Sequence, residues 1–306
     1  MLQHSSTIHY YNPNEMKFKI SVFILAVATL TAGCTEYKDK EYPPVDDSGY
    51  TLVEADFKAL LFSDKDMVWP EGASIGVYGS EQGYNEPYAI KKAGEGLGQA
   101  FFYGPVVKGT LAAYYPYSPS YIGDAAAMPF LIESEQVYGE DPVEMYLKYT
   151  PSAFAHMNEG KMEFHYPNAL LRLTVGFAEA VKVKGLRLDS EKSGLSGLGV
   201  IMQDGTIRMT ENADNHIVLN CGEGVLSRSD DGSLTGFCLV MPPGTYDDLK
   251  VTLHIDGFDS SFVCSVPEVV LEKIDASDMS VVTLSFSPSG GPDGFSEVEV
   301  EFDKDE

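Results

Sequence analysis

Apolar and polar residues alternate along most of this chain, which is the pattern of β-strands that bury one face. In the run LKVTLHID, which begins at Leu249, every second residue is Leu, Val or Ile, and the residues between them are polar. The run ALLRLTVGF, from Ala169, and the run VVTLSFS, from Val281, repeat the period. Each run predicts a half-buried strand.

Turn residues separate these runs, and long helical periodicity is nearly absent. Further strands are predicted at Ile75 to Tyr78, and in VKGTLAAYYPY up to Pro116. Only DPVEMYLKY, at 141–149, and VVLEKIDAS, which begins at Val269, are compatible with short helices. Short strands with frequent Gly and Pro turns predict an all-β fold, either a sandwich or a barrel.

The chain of 306 residues is long enough for two ordinary domains. A boundary is expected near 157–161, in the run MNEGK, before the strand pair MEFHY and ALLRLTV. This predicts an N-terminal domain at 51–158, a C-terminal domain at 159–288 and a separate tail at 289–306.

The net charge of the chain limits the kinds of partner that it is expected to bind. The formal net charge is -25 and the chain holds four arginines. Nucleic acid is bound by clustered Lys and Arg, so a nucleic-acid partner is not expected.

Residues 16–34, MKFKISVFILAVATLTAGC, have the form of a secretory signal peptide. Two lysines precede an apolar segment that is too short to span a bilayer, and small residues follow. The ending LTAGC resembles the bacterial lipobox, which implies lipidation of Cys34; the alternative is an ordinary signal peptide with a chance Cys. Residues 1–33 therefore comprise an extension and a signal peptide, and translation is expected to start at Met16 rather than Met1.

Residues 34–50 are polar, charged and Pro-containing, which predicts a flexible tether. Beyond Cys34 the chain has Cys221, Cys238 and Cys264, an odd number that cannot all pair internally. One disulfide is possible, and the favoured interpretation is that none is essential.

The sequence shows no clear catalytic or metal-binding pattern. His156 and His165 have no Cys or carboxylate at ligand spacing, and no G-x-S-x-G nucleophile motif is present. The expectation is a protein that is not an enzyme, with no metal and no cofactor.

The aromatic run YYPYSPSY, at 114–121, has two interpretations. Together with Trp69, the rings of Tyr114, Tyr115 and Tyr117 could stack on the apolar faces of sugars. The alternative, which is favoured, is that these rings pack inside the β fold.

Several motifs follow one another in an order that resembles a known protein family. Cys34 is followed by WPEGASIGVYG, then AAYYPY, MEFHYPNALLRLTV, MPPGTY and VTLSF. This succession, from about Phe57 to Phe286, resembles the fimbrillin family of type V pilus subunits and pilin-like lipoproteins of Bacteroidetes. The resemblance implies two transthyretin-like Greek-key β-sandwich domains. It also implies lipoprotein export, and assembly by strand exchange after a protease removes the N-terminal strand.

The tail contains a second alternating run, SEVEVEF, after Pro and Gly residues that should end the domain. Val298, Val300 and Phe302 point one way and the glutamates point the other. The resemblance implies that this run is a donor strand for a neighbouring subunit. The alternatives are an edge strand of the chain's own sheet and a disordered acidic end.

One feature departs from the family. Shaft subunits of this family are typically cleaved after an Arg in the N-terminal domain, but the first Arg here is Arg172. Cleavage at Lys58 or Lys65 is conceivable; otherwise the subunit keeps its lipid and serves as a membrane-bound anchor.

The expected function is that of a structural pilus subunit that supports adhesion. Its partners would be other pilus subunits and, through the lipid at Cys34, the outer membrane, which places it at the cell surface. The alternatives are a pilus anchor that stays in the membrane and a surface lipoprotein that binds glycans.

Overall fold

The structure is a computed structural model, and its described residues begin at Tyr50. The described residues are 50–57, 69–93, 98–175, 177, 180–257, 262–266, 268–271 and 282–286. The predicted signal peptide, nearly all of the predicted tether and the whole tail at 289–306 lie outside them.

Within the described residues the chain is almost entirely β-structure, so the prediction of an all-β fold is confirmed. One helix, α1 (Pro142–Tyr149), interrupts the strands. The strands are β1 (Tyr50–Phe57), β2 (Ser74–Gly79), β3 (Gln82–Ala93), β4 (Gln99–Pro105), β5 (Leu111–Tyr115), β6 (Ala127–Ile132), β7 (Glu135–Val137), β8 (Ala153–Asn158), β9 (Lys161–Phe164), β10 (Ala169–Val175), β11 (Lys182–Asp189), β12 (Gly197–Met202), β13 (Ile207–Met209), β14 (His216–Leu226), β15 (Gly236–Met241), β16 (Gly244–Tyr246), β17 (Lys250–Ile255), β18 (Phe262–Ser265), β19 (Val269–Leu271) and β20 (Val282–Phe286).

The predicted alternation is visible in strand burial. In β17 every second residue is buried, while Lys250 and His254 are exposed. In β4 burial also alternates along the whole strand. This period places one face of each strand against the core because successive side chains point to opposite faces of a sheet.

The helix α1 forms where the sequence predicted it. Asp141 caps its N-terminus, where the side chain accepts hydrogen bonds from the backbone N–H groups of Val143 and Glu144. Pro142 follows the cap, where its missing N–H costs nothing. The second predicted helix is wrong at its start, because Val269–Leu271 is strand β19, which pairs with β16.

The first strands form a closed seven-stranded barrel in the order β1-β4-β3-β2-β5-β8-β9. The barrel closes because β9 pairs in parallel with β1, so neither strand is left as an edge. The other sheets have the orders β15-β10-β20, β18-β17-β11-β14-β7, β13-β12-β6 and β16-β19.

The expected boundary between 158 and 159 falls inside a hairpin. Strands β8 and β9 pair across the turn at Glu159 and Gly160, where both residues have a positive φ. In addition, β6 and β7 precede this turn, yet they pair with β12 and β14. The division into two Greek-key sandwiches remains a prediction.

The core is continuous across the predicted boundary. One cluster of buried apolar residues extends from Val53 in β1 to Leu271 in β19. A second, smaller cluster gathers around Tyr78, Tyr114 and Met128. The barrel therefore shares its packing with the sheets that follow it.

Candidate functional site

Strand β1 is the strand that the strand-exchange prediction concerns, because it is the first strand of the described chain. Its residues 53–57 read VEADF. Val53, Ala55 and Phe57 are buried, whereas Glu54 and Asp56 are half-buried on the opposite face. The strand thus has one apolar face toward the barrel interior and one acidic face toward the outside.

Both edges of β1 are paired. It runs antiparallel to β4, with Ala55 opposite Ala100, and parallel to β9, with Ala55 opposite Met162. Taking β1 away would leave β4 and β9 as two unpaired edges on either side of an apolar slot. We call this space between β4 and β9 the β1 groove.

Phe57 anchors the end of β1 in an aromatic cluster. Its ring centroid lies 4.4 Å from that of Trp69 and 5.7 Å from that of Phe164. Its backbone N–H donates to the carbonyl of Gly98 at 2.9 Å, and the Trp69 indole N–H donates to the same oxygen at 2.6 Å. The largest buried side chain of β1 therefore occupies an aromatic pocket.

Lys161 of β9 binds the acidic face of β1. Its Nζ lies 3.1 Å from Asp56 Oδ2 and 3.7 Å from Glu54 Oε1. The hydrogen bond to Asp56 is the main cause that raises the pKa of Lys161, and the nearby carboxylates add to it. One cation on β9 thus holds both acids of β1.

The start of β1 is held more loosely than its end. Tyr50 is 36% exposed and Leu52 is 54% exposed. Tyr88 of β3 supports this region from inside: its ring lies over Gly104 of β4, where any Cβ would collide with it. The Tyr88 hydroxyl donates to the Pro105 carbonyl at 2.6 Å, and burial raises its pKa to about 12 although a hydrogen bond with Thr51 opposes this.

The four aromatic residues predicted as possible glycan contacts lie mostly inside the protein. Trp69 is 6% exposed and Tyr114 is 1% exposed, so the prediction is corrected for these two: their ring faces are covered by protein. Tyr115 and Tyr117 are half-buried. The Tyr114 ring stacks on Tyr121 at 4.0 Å, and its hydroxyl donates to the Ser118 carbonyl at 2.7 Å. These contacts support the packing interpretation.

Burial also raises the pKa of the Tyr114 and Tyr121 hydroxyls. Cys221 and Cys238 are free and buried, and burial raises the pKa of each thiol to about 11. Such thiols are poor nucleophiles at neutral pH, because the thiolate is the reactive form.

His156 and His165 line a cleft together with Glu163 and Asp204. Among the residues that the structure describes, no group of three or more His, Cys, Asp or Glu side chains has a geometry that could hold a metal ion. In that same part of the chain, no helix has both the length and the apolar character needed to cross a bilayer.

The predicted lipidation residue Cys34 and the predicted donor-strand residues Val298, Val300 and Phe302 lie outside the described residues. The residues that the sequence reasoning missed are those of β1 and Lys161. The signal for β1 was the alternating run VEADF, which directly precedes Lys58.

Comparison with known proteins gave structural neighbours only. No protein-family model matches the chain, and no curated protein matches it. A proposed cell adhesion protein of Bacteroides ovatus aligns with a TM-score of 0.48 at 13% identity, covering 78% of this chain and 94% of its own.

Two fimbrial proteins are also similar. The tip fimbrial protein Mfa3 of Porphyromonas gingivalis, with a C-terminal truncation, aligns with a TM-score of 0.39 at 12% identity, covering 83% of this chain and 98% of its own. A fimbrial assembly protein of Parabacteroides distasonis aligns with a TM-score of 0.40 at 8% identity, covering 78% and 92%. Fimbrial and adhesion proteins of Bacteroidetes are thus among the solved structures to which this chain is similar, as the resemblance predicted.

Proposed function

We propose that this chain is a structural subunit of a type V pilus, exported as a lipoprotein through Cys34 and assembled by strand exchange. The observation that carries the proposal is the position of β1. It is a complete strand of a closed barrel, paired on both edges, and Lys58 follows it directly in the sequence. Cleavage after Lys58 would release a strand and open the β1 groove.

The groove has the properties that strand addition requires. Two strand edges would supply backbone donors and acceptors, which give affinity and register. The apolar slots of Val53, Ala55 and Phe57 would supply side-chain specificity. Burying three such side chains contributes at most about 5–9 kcal/mol before the costs of association and ordering.

The donor would be the tail, through Val298, Val300 and Phe302. The partners are therefore other pilus subunits, and the location is the cell surface. The lipid at Cys34 would hold the subunit at the outer membrane until cleavage removes it together with β1. As a component of the pilus, the subunit would support adhesion.

The geometry of β10 bears on maturation. Arg172, the first Arg of the chain, lies inside β10, which is paired on both edges. An Arg-directed cut there would sever a central strand instead of releasing a terminal one. Release at Lys58 or Lys65 is the proposed route; a subunit that keeps β1 would donate but not accept, as a membrane-bound anchor does.

The test is a polymerisation assay on the full chain. A Lys-specific protease is added under native conditions, and SDS-resistant ladders are scored by electrophoresis. Ladders are expected from the wild type. They should be absent from a donor-dead variant with Val298→Asp, Val300→Asp and Phe302→Asp.

A matched control carries Lys58→Gln and Lys65→Gln. The protease then cannot release β1 at these positions, and the variant keeps both β1 and its tail. Because Trp69 contacts Phe57, its emission reports whether the groove is filled; it is the single Trp of the chain. The proposal would be overturned if cleavage shifts the Trp69 emission of the wild type to the red and no ladder then forms.

A further inference from the structure

The chain carries the pattern apolar–acidic–apolar–acidic–Phe twice. The first copy is VEADF at 53–57, inside β1, and the second is VEVEF at 298–302, in the tail. No other Phe of the chain is preceded by this pattern. The two copies therefore share one apolar face, one acidic face and a Phe ring at the end; they differ by Val300 in place of Ala55 and Glu301 in place of Asp56.

The structure shows the surroundings of each residue in the first copy. Its apolar residues fill the barrel interior, and Phe57 closes the aromatic pocket with Trp69. Its two acids meet Lys161, which lies directly opposite Glu54 in the parallel pair with β9.

We infer that the tail of a second copy of this chain takes the place of β1 residue for residue, with Lys161 as the residue that sets its register. Val298 then occupies the slot of Val53, Val300 that of Ala55, and Phe302 that of Phe57. Glu299 and Glu301 replace Glu54 and Asp56 at Lys161. This inference rests on the proposed strand exchange and specifies its partner strand.

Two features make this register the favoured one. A shift by one residue would turn the glutamates into the barrel interior, since side chains alternate between faces. A shift by two residues would bring Phe302 to the slot of Ala55. That residue is fully buried between Ala100 and Met162, which leaves no room for a ring.

The course of the chain favours a second copy over the chain's own tail. Strand β20 is parallel to β10, with Phe286 opposite Val175. Strand β10 starts at Ala169, close to the end of β9, and rises about 20 Å to Val175. The chain thus leaves β20 at the end that points away from β9, so its own tail would have to turn back to reach the β1 groove.

Register can be read by cysteine crosslinking on the outer face of the strands. Glu54 is opposite the half-buried Phe101 of β4, and the proposal puts Glu299 at that place. The acceptor is the full chain with the donor-dead tail and Phe101→Cys, cleaved after Lys58. The donor is the full chain with Lys58→Gln, Lys65→Gln and Glu299→Cys.

A disulfide between donor and acceptor is expected with Glu299→Cys, because facing residues bring their Cβ atoms within about 5.5 Å. Matched donors carry Glu297→Cys or Glu301→Cys, each displaced by two residues, and should crosslink at least about tenfold less. The acceptor without Phe101→Cys gives the background from the native cysteines. Equal crosslinking of all three donors, or a maximum at 297 or 301, would overturn the register.

The role of Lys161 is tested by charge reversal in acceptor and donor. Lys161→Glu in the acceptor should slow complex formation with the wild-type tail about fivefold, since like charges on facing strands repel. A donor with Glu299→Lys and Glu301→Lys should restore the rate with this acceptor and be slow with the wild-type acceptor. A merely structural role for Lys161 would show no such rescue.

The outcomes separate the two proposals. If complexes form but neither the crosslink pattern nor the rescue appears, the register inference fails and strand exchange stands. If no donor–acceptor complex forms with any pair, strand exchange itself fails. One chain that carries both Phe101→Cys and Glu299→Cys, with β1 cleaved, should crosslink only between molecules; a crosslink within a dilute monomer would overturn the second copy as the partner.

Discussion

Strands β1 and β10 have the same pairing but different surroundings. Each is antiparallel to one neighbour, β4 or β15, and parallel to another, β9 or β20. Strand β10 is buried on both faces except at Arg172, whereas β1 is buried on one face only. Pairing alone therefore does not decide whether a strand can leave a fold.

The difference follows from what lies over the second face and at the two ends. The outer face of β1 carries Tyr50, Leu52, Glu54 and Asp56, which are already exposed or half-buried, so little further surface on that face is exposed when the strand leaves. Strand β10 would expose apolar side chains on both faces, and the chain continues from it in both directions. The structure thus combines a terminal strand suited to removal with an internal one that is not.

The largest effect is expected from a charge placed in each strand. Leu173→Asp puts an unpaired carboxylate at a fully buried site of β10, which costs an amount comparable to the whole stability of a domain, ~5–15 kcal/mol. This variant should not fold. Val53→Asp in β1 should release only β1 from the barrel.

The readouts are circular dichroism, Trp69 emission and alkylation of Cys221 and Cys238 followed by mass spectrometry. For Val53→Asp we expect a red-shifted Trp69 with both thiols still protected and the β-sheet signal retained. Loss of thiol protection in that variant would mean that β1 is as integral as β10.

A smaller effect is expected from truncation of the anchor of β1. Phe57→Ala removes the ring that fills the aromatic pocket, and the free energy of unfolding should fall by about 3–4 kcal/mol. Leu52→Ala, in the same strand but 54% exposed, should change it by less than about 0.5 kcal/mol. Urea unfolding monitored by Trp69 emission measures both, and equal effects would contradict the aromatic anchor.

Alkaline pH should weaken the support of β1 through Tyr88. Its pKa is raised to about 12 by burial, against about 10 in an unfolded chain. The protonated form is the one that the fold favours, so this stability is complete below pH 10 and is lost between pH 10 and about 12. The loss should reach about 2 kcal/mol, measured as the pH dependence of urea unfolding.

Tyr88→Phe is the matched variant for that experiment. It should be less stable at neutral pH, because the hydrogen bond to Pro105 is gone. Its free energy of unfolding should also change less between pH 10 and 12 than that of the wild type. An unchanged slope would show that other groups carry the alkaline loss.

The smallest effect is expected from single ion pairs. Lys161→Gln should lower the free energy of unfolding by about 0.5 kcal/mol, because the pairs with Glu54 and Asp56 are partly exposed. Lys192→Gln breaks the exposed pair with Asp247, in the part of the chain that follows the barrel, and should have no measurable effect. High salt should reduce the Lys161 effect; a larger effect at Lys192 would contradict the distinction between the two pairs.

The strands with one covered face were predictable from the sequence. Alternation predicted β17, in which every second residue is buried, and the run DPVEMYLKY was compatible with the helix found at α1. The run ALLRLTV was expected to be half-buried, and this was wrong at Thr174, which is 5% exposed. The sequence shows the period of a strand, but whether its second face is covered depends on elements far along the chain.

The site was harder to predict than the strands. The YYPYSPSY run suggested rings available to sugar, but the face of a ring is covered by neighbours such as Tyr121 that no local pattern announces. The closure of the barrel by β1 and β9 also has no local signature, because the two strands lie in distant segments. The sequence does not show what the acids of VEADF contact; the structure does, because it places Lys161 opposite Glu54.

The pairing of β1 with β9 also sets an order of folding. Asp56 and Lys161 are separated by 105 residues, so β1 must wait for nearly the whole barrel before its second edge finds a partner. Contacts of such long range form late and slowly. We expect β1 to be held by β4 alone until β8 and β9 have formed, so that the edge between β1 and β9 is completed last. The edge that completes the barrel last is thus the same edge on which Lys161 holds the acids of β1.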